Sequence, residues 1–98
     1  MSNENYINQI GITSDNKKAV AGIWKTFETH GIPLDIIFTI CMRKESVPDW
    51  ILLYNEMKLS GMKHTRIISK LEEAISDSFG KEWSDVVISR LDKQFKHQ

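Results

Sequence analysis

The chain is poor in the residues that interrupt regular structure. Of its 98 residues only 2 are proline and 5 are glycine. An all-β protein needs a turn every few residues, and this chain has too few turn formers for one. Cysteine is nearly absent. Cys41 stands alone, which excludes an internal disulfide framework and fits a reducing compartment. A surplus of either charge is missing too: 13 Lys and Arg balance 13 Asp and Glu. The stretches 1–40, 41–64, 65–80 and 81–98 each stay within one charge of zero. The broad field that would attract nucleic acid or an anionic membrane is therefore lacking. Long apolar runs are also wanting. The longest, Ile32 to Met42, is interrupted by Asp35 and Thr39 and falls far short of the ~20 residues that span a bilayer. The opening MSNENYINQIGITSDNKK has no basic start followed by an apolar run, so it does not read as a secretory signal. These features lead us to expect a cytoplasmic protein with no membrane partner.

What is present is ordinary globular material, 41% hydrophobic and 27% charged, with helical periodicity. Residues 1–13 are polar with scattered isoleucines and read as a flexible N-terminal arm. Residues 14–98 read as a single helical domain. A first helix is expected from Asp15 to His30, capped by Ser14 or Asp15, with Val20, Ile23, Trp24 and Phe27 on one face. Gly31 closes it. A second runs from Pro33 to Lys44, with proline at the first helical position. A third runs from Pro48 to Leu59, with Ser46 and Asp49 at capping-box spacing and Trp50, Leu53, Tyr54 and Met57 inward. A fourth runs from Thr65 to Phe79. The fifth runs from Glu82 to Lys96, with Trp83, Val86, Val87, Leu91 and Phe95 inward. The expected fold is all-α, a compact bundle of four to five short helices.

Signatures of chemistry are sparse. Cys41 sits among Ile37, Ile40 and Met42 with no cation beside it to lower its pKa, so it reads as a core residue. His30, His64 and His97 share no helical turn and no pattern of zinc ligands accompanies them. Glu72 and Glu73 point about 100° apart on a helix and cannot work as an acid–base pair. Asp35 and Thr39 form the polar stripe of helix two and would be the first place to look for a site built across helices. The chain has no Gly-rich phosphate loop, nucleotide fingerprint or Ser–His–Asp signature. We therefore expect no enzyme, no metal and no cofactor.

Two surfaces remain. Helix two is apolar nearly all round, and other apolar residues fall off the inward stripes. Ile36, Phe38, Ile40, Met42, Leu52 and Leu59 are the candidate protein-binding residues. They imply a small regulatory or adaptor protein that binds another protein, or itself as a homo-oligomer. The Ile-, Lys- and Asn-rich style suits an AT-rich phage or bacterial genome and an accessory factor that binds a host protein. The second surface lies in residues 52–75, LLYNEMKLSGMKHTRIISKLEEAI. This segment resembles a helix-turn-helix, with Gly61 in the turn and Ile67 anchoring the second helix. The resemblance implies a DNA-binding regulator that uses Lys63, His64, Thr65, Arg66, Ser69 and Lys70. It departs from the pattern at Met57, where a small residue is usual, and at Lys70, where an apolar one is.

Overall fold

The computed structural model describes residues 7–96. The elements are β1 (Asn8–Ile12), β2 (Lys18–Ala21), α1 (Ile23–His30), α2 (Leu34–Arg43), β3 (Ser46–Pro48), α3 (Trp50–Leu59), α4 (His64–Ser78) and α5 (Lys81–Phe95). The described residues are mostly helical, 64% of them in 5 helices, but a three-stranded sheet makes the fold not purely all-α.

The correction falls on the first expected helix. Ser14 and Asp15 do not cap it; they belong to a tight turn. Thr13 donates its N–H to the Lys17 carbonyl at 2.8 Å, and its hydroxyl accepts the Lys17 N–H at 3.0 Å. Asn16 takes φ 68, a left-handed geometry that asparagine tolerates better than most side chains. The turn folds β1 back on β2 as an antiparallel pair with a bulge between Gln9 and Gly11. Gly22, at φ 90, then breaks the chain direction, so α1 begins only after it. Part of the expected arm, Asn8–Ile12, is thus a strand, while residues 1–6 lie outside the described residues, as does His97.

Pro48 likewise starts no helix. Ser46–Pro48 forms β3, parallel to β2 in the register Lys18↔Ser46, Ala19↔Val47, Val20↔Pro48. A parallel pair needs a long crossover, and α1 and α2 supply it. The ladder continues into the Asp49 N–H, which donates to the Val20 carbonyl at 3.0 Å. Asp49 alone caps α3, its Oδ1 accepting the Leu52 N–H at 3.1 Å.

The core gathers around α4, which packs on α2 along one side and on α5 along another. Ile67, Leu71, Ala74 and Ile75 fill that junction, a 4–3–1 spacing that keeps them on one stripe. Trp50, Leu53, Tyr54 and Met57 of α3 are buried as the periodicity implies. A chain of edge-on aromatic contacts runs outward from this core: Phe38 to Trp50, Trp50 to Phe79, Phe79 to Trp83, with centroids 5.4, 5.9 and 6.3 Å apart. Edge-to-face pairs at this spacing stabilise beyond their buried area. Among the described residues no helix is long and apolar enough to cross a membrane.

Burial separates two leucines sharply. Leu71 is fully buried whereas Leu59 is 87% exposed. Leu71→Ala should cost about 2–5 kcal/mol of stability, and Leu59→Ala less than about 0.5 kcal/mol. Urea denaturation followed by far-UV circular dichroism measures both.

Candidate functional site

A groove of about 770 Å³ opens beside α5. One side is α5, which presents Trp83, Val86, Val87 and Arg90, a 3–1–3 spacing that puts all four on neighbouring faces of the helix. The sheet supplies Ala19 and Val47. These two are register partners, and side chains of paired residues stand on the same sheet face. The other side is the hairpin turn, Thr13 to Asp15, together with Pro48 and the start of α3 at Asp49 to Ile51. A smaller cleft of about 140 Å³ shares Val47 and Trp83 with the groove and reaches Met42 and Phe79. Trp83 therefore stands between two hollows of one apolar trough.

The real inward stripe of α5 explains the groove. Ser84, Val87, Leu91 and Phe95 are the buried residues of the helix, at spacings of 3, 4 and 4. Val86, expected inward, lies one position off that stripe and is 60% exposed. Trp83 and Arg90 bracket Val86 on the same outer face. The charges at the rim are Asp15 and Asp49 from the turn and α3, and Arg90 from α5. The hydroxyl of Thr13 donates to the Asp15 carboxylate, and this bond holds the Asp15 carboxyl below its usual range. No salt bridge to a described residue holds Asp15, Asp49 or Arg90; the bridge between His64 and Asp92 lies elsewhere.

That bridge is part of a second constellation. Tyr54 Oη lies 2.7 Å from His64 Nδ1, and His64 Nε2 lies 2.8 Å from Asp92 Oδ1. An ionised carboxylate only accepts, so Nε2–H donates to Asp92; in the tautomer that carries its proton there, Nδ1 accepts the Tyr54 O–H. Carboxylate, imidazole and hydroxyl in line are the arrangement that activates a nucleophile. Here the hydroxyl belongs to a side chain with no exposure, stacked on Phe95 at 4.1 Å. Burial, reinforced by the Asp92 charge, raises the Tyr54 pKa and keeps the phenol protonated. The constellation is a brace joining α3, α4 and α5.

The residues singled out from the sequence are scattered. Ile36 and Ile40 lie one turn apart on the outer side of α2 and are exposed, as are Met42, Leu52 and Leu59. Phe38 is completely buried and belongs to the core. Of this set only Met42 lines the trough. The DNA-reading set is divided as well. Lys63, Thr65, Arg66 and Ser69 are exposed. Both ring nitrogens of His64 are engaged inside the brace, and Lys70 Nζ sits 5.0 Å from the Phe27 ring centre in a cation–π contact. The Thr39 hydroxyl donates to the Asp35 carbonyl of its own helix at 2.8 Å. Cys41 is buried, and desolvation pushes its thiol up to about 11. Among the described residues no group of three or more His, Cys, Asp or Glu could hold a metal ion.

Sequence reasoning missed the groove because its sides come from residues 13–15, 47–51 and 83–90. The legible signal was the 3–4 spacing of Trp83, Val86 and Arg90, which forms a second stripe beside the inward one. Comparison with protein-family models, curated proteins and solved structures found no match to this chain.

Two outcomes follow from this geometry. His64→Ala strands the buried Tyr54 hydroxyl without a partner, so unfolding free energy should fall by about 1–3 kcal/mol in urea titration. The buried, protonated Cys41 should resist a disulfide-exchange reagent at pH 8 in the native protein and react only as fast as the molecule unfolds.

Proposed function

We propose that this is a small non-enzymatic protein-binding module and that the groove beside α5 is where it binds. The observation that carries the reading is the exposed Val86 beside a half-buried Trp83, over a hollow of about 770 Å³. Keeping large apolar groups in water costs roughly 25 cal/mol per Å² of apolar surface, and Val86, 60% exposed, contributes little to the core where it stands. A tryptophan lying in a concave, largely apolar site is the common anchor of protein interfaces. Charges at the rim supply orientation, as the polar edge of an interface does. The polar groups of the groove are occupied by local structure: Asp49 caps α3 and Asp15 is bonded to Thr13. Among the described residues no histidine, lysine or cysteine lines the groove to act as a base or activated nucleophile, which favours binding over catalysis.

The adaptor reading inferred from the surplus apolar surface is thus kept, but its centre moves from the outer side of α2 to the α5 groove. Val86→Glu places a charge where the partner would contact the groove and disturbs no buried group. Proteins recovered with the tagged chain from its native host should be lost with Val86→Glu while thermal unfolding is unchanged. Recovery of the same proteins by both forms would refute the reading.

A further inference from the structure

We infer that the occupant of the groove is a second copy of this chain, held in a two-fold pair in which Val86 of each protomer enters the groove of the other. This rests on the reading of the groove as the binding site and names its partner.

The patch carries both halves of a contact. Val86 is a knob, 60% exposed on the α5 side, and the hollow between it and the Ala19–Val47 sheet face is the hole. A two-fold interface uses the same patch twice and requires such self-complementarity. The charges obey the same rule. Asp15 and Asp49 come from the hairpin turn and the cap of α3, and Arg90 comes from α5; none of the three is in a salt bridge with a described residue. Rotating one copy by a half-turn onto another sets Arg90 of each against the carboxylates of its partner. Opposite signs then meet twice, and like signs are kept apart. The chain as a whole has a formal net charge of zero, so no long-range repulsion opposes the encounter. The β1 edge of the sheet is a poorer place for a second copy. Its register is broken at Gln9–Gly11, and a bulge of this kind hinders strand addition.

Sedimentation velocity of the full chain from about 1 µM to about 1 mM tests the inference. Wild type should pass from monomer to dimer within this range. Val86→Glu should weaken dimerisation about a hundredfold, because a charged side chain would have to enter the apolar hollow of each partner. Arg90→Glu should weaken it about tenfold, and adding Asp15→Arg to Arg90→Glu should restore most of the loss. Circular dichroism of each variant should match wild type, since all three positions are exposed. A wild-type chain that stays monomeric, or a dimer indifferent to Val86→Glu and Arg90→Glu, would overturn the inference. If that happened while Val86→Glu still lost a co-purifying protein, the groove would remain the binding site for another partner. If neither association responded to Val86→Glu, both readings would fall.

Discussion

The groove face depends on three residues, Ser46 to Pro48, running as a strand beside β2. Their ladder with Lys18–Val20 ties the N-terminal hairpin to the helical body. It also sets the start of α3, because the Asp49 N–H that extends the ladder belongs to the residue whose carboxylate caps that helix. Were this segment the first turn of α3 instead, Val47 would leave the sheet face and Trp50 would rotate away from Phe38 and Phe79. The sheet would then have no parallel partner, and a lone two-stranded hairpin is marginal in water. A short stretch of backbone pairing thus positions the hairpin turn, the apolar floor and the aromatic chain leading to Trp83.

Most of the helical body was legible because punctuation and periodicity agreed. Gly31 ends α1 with its N–H on the Phe27 carbonyl, as a left-handed cap should. The buried face of α3 repeats at the spacing read from sequence. The hairpin was not legible for a specific reason. Val20, Ile23, Trp24 and Phe27 mimic a helical stripe, yet Val20 is buried from a strand, Ile23 and Trp24 from a helix, and Phe27 is only partly buried. Gly22, which separates the two, was the overlooked signal. Pro48 misled similarly, since proline suits the first residue of a helix and the end of an edge strand equally well.

The site was legible only as a surplus. The sequence has more apolar residues than a small bundle covers, and Ile36, Ile40, Met42, Leu52 and Leu59 are indeed in contact with water. Which of them gather around a hollow is a tertiary question. Periodicity assigns a residue to a helical face, but it does not say which face another element leaves uncovered. Val86 shows the difference. One position separates it from the buried Val87, and that step of about 100° carries it from core to rim. The Tyr54–His64–Asp92 brace was invisible for the same reason, since its members come from three helices.

The two outer apolar faces, the α5 groove and the Ile36–Ile40 side of α2, separate most directly by site-specific photo-crosslinking in the native host. A photoreactive phenylalanine analogue would replace Val86 in one form of the protein and Ile36 in another. Binding through the groove predicts a discrete covalent adduct from position 86 and none from position 36, with the adduct mass distinguishing a second copy from another protein. An adduct from position 36 with none from position 86 would contradict the account.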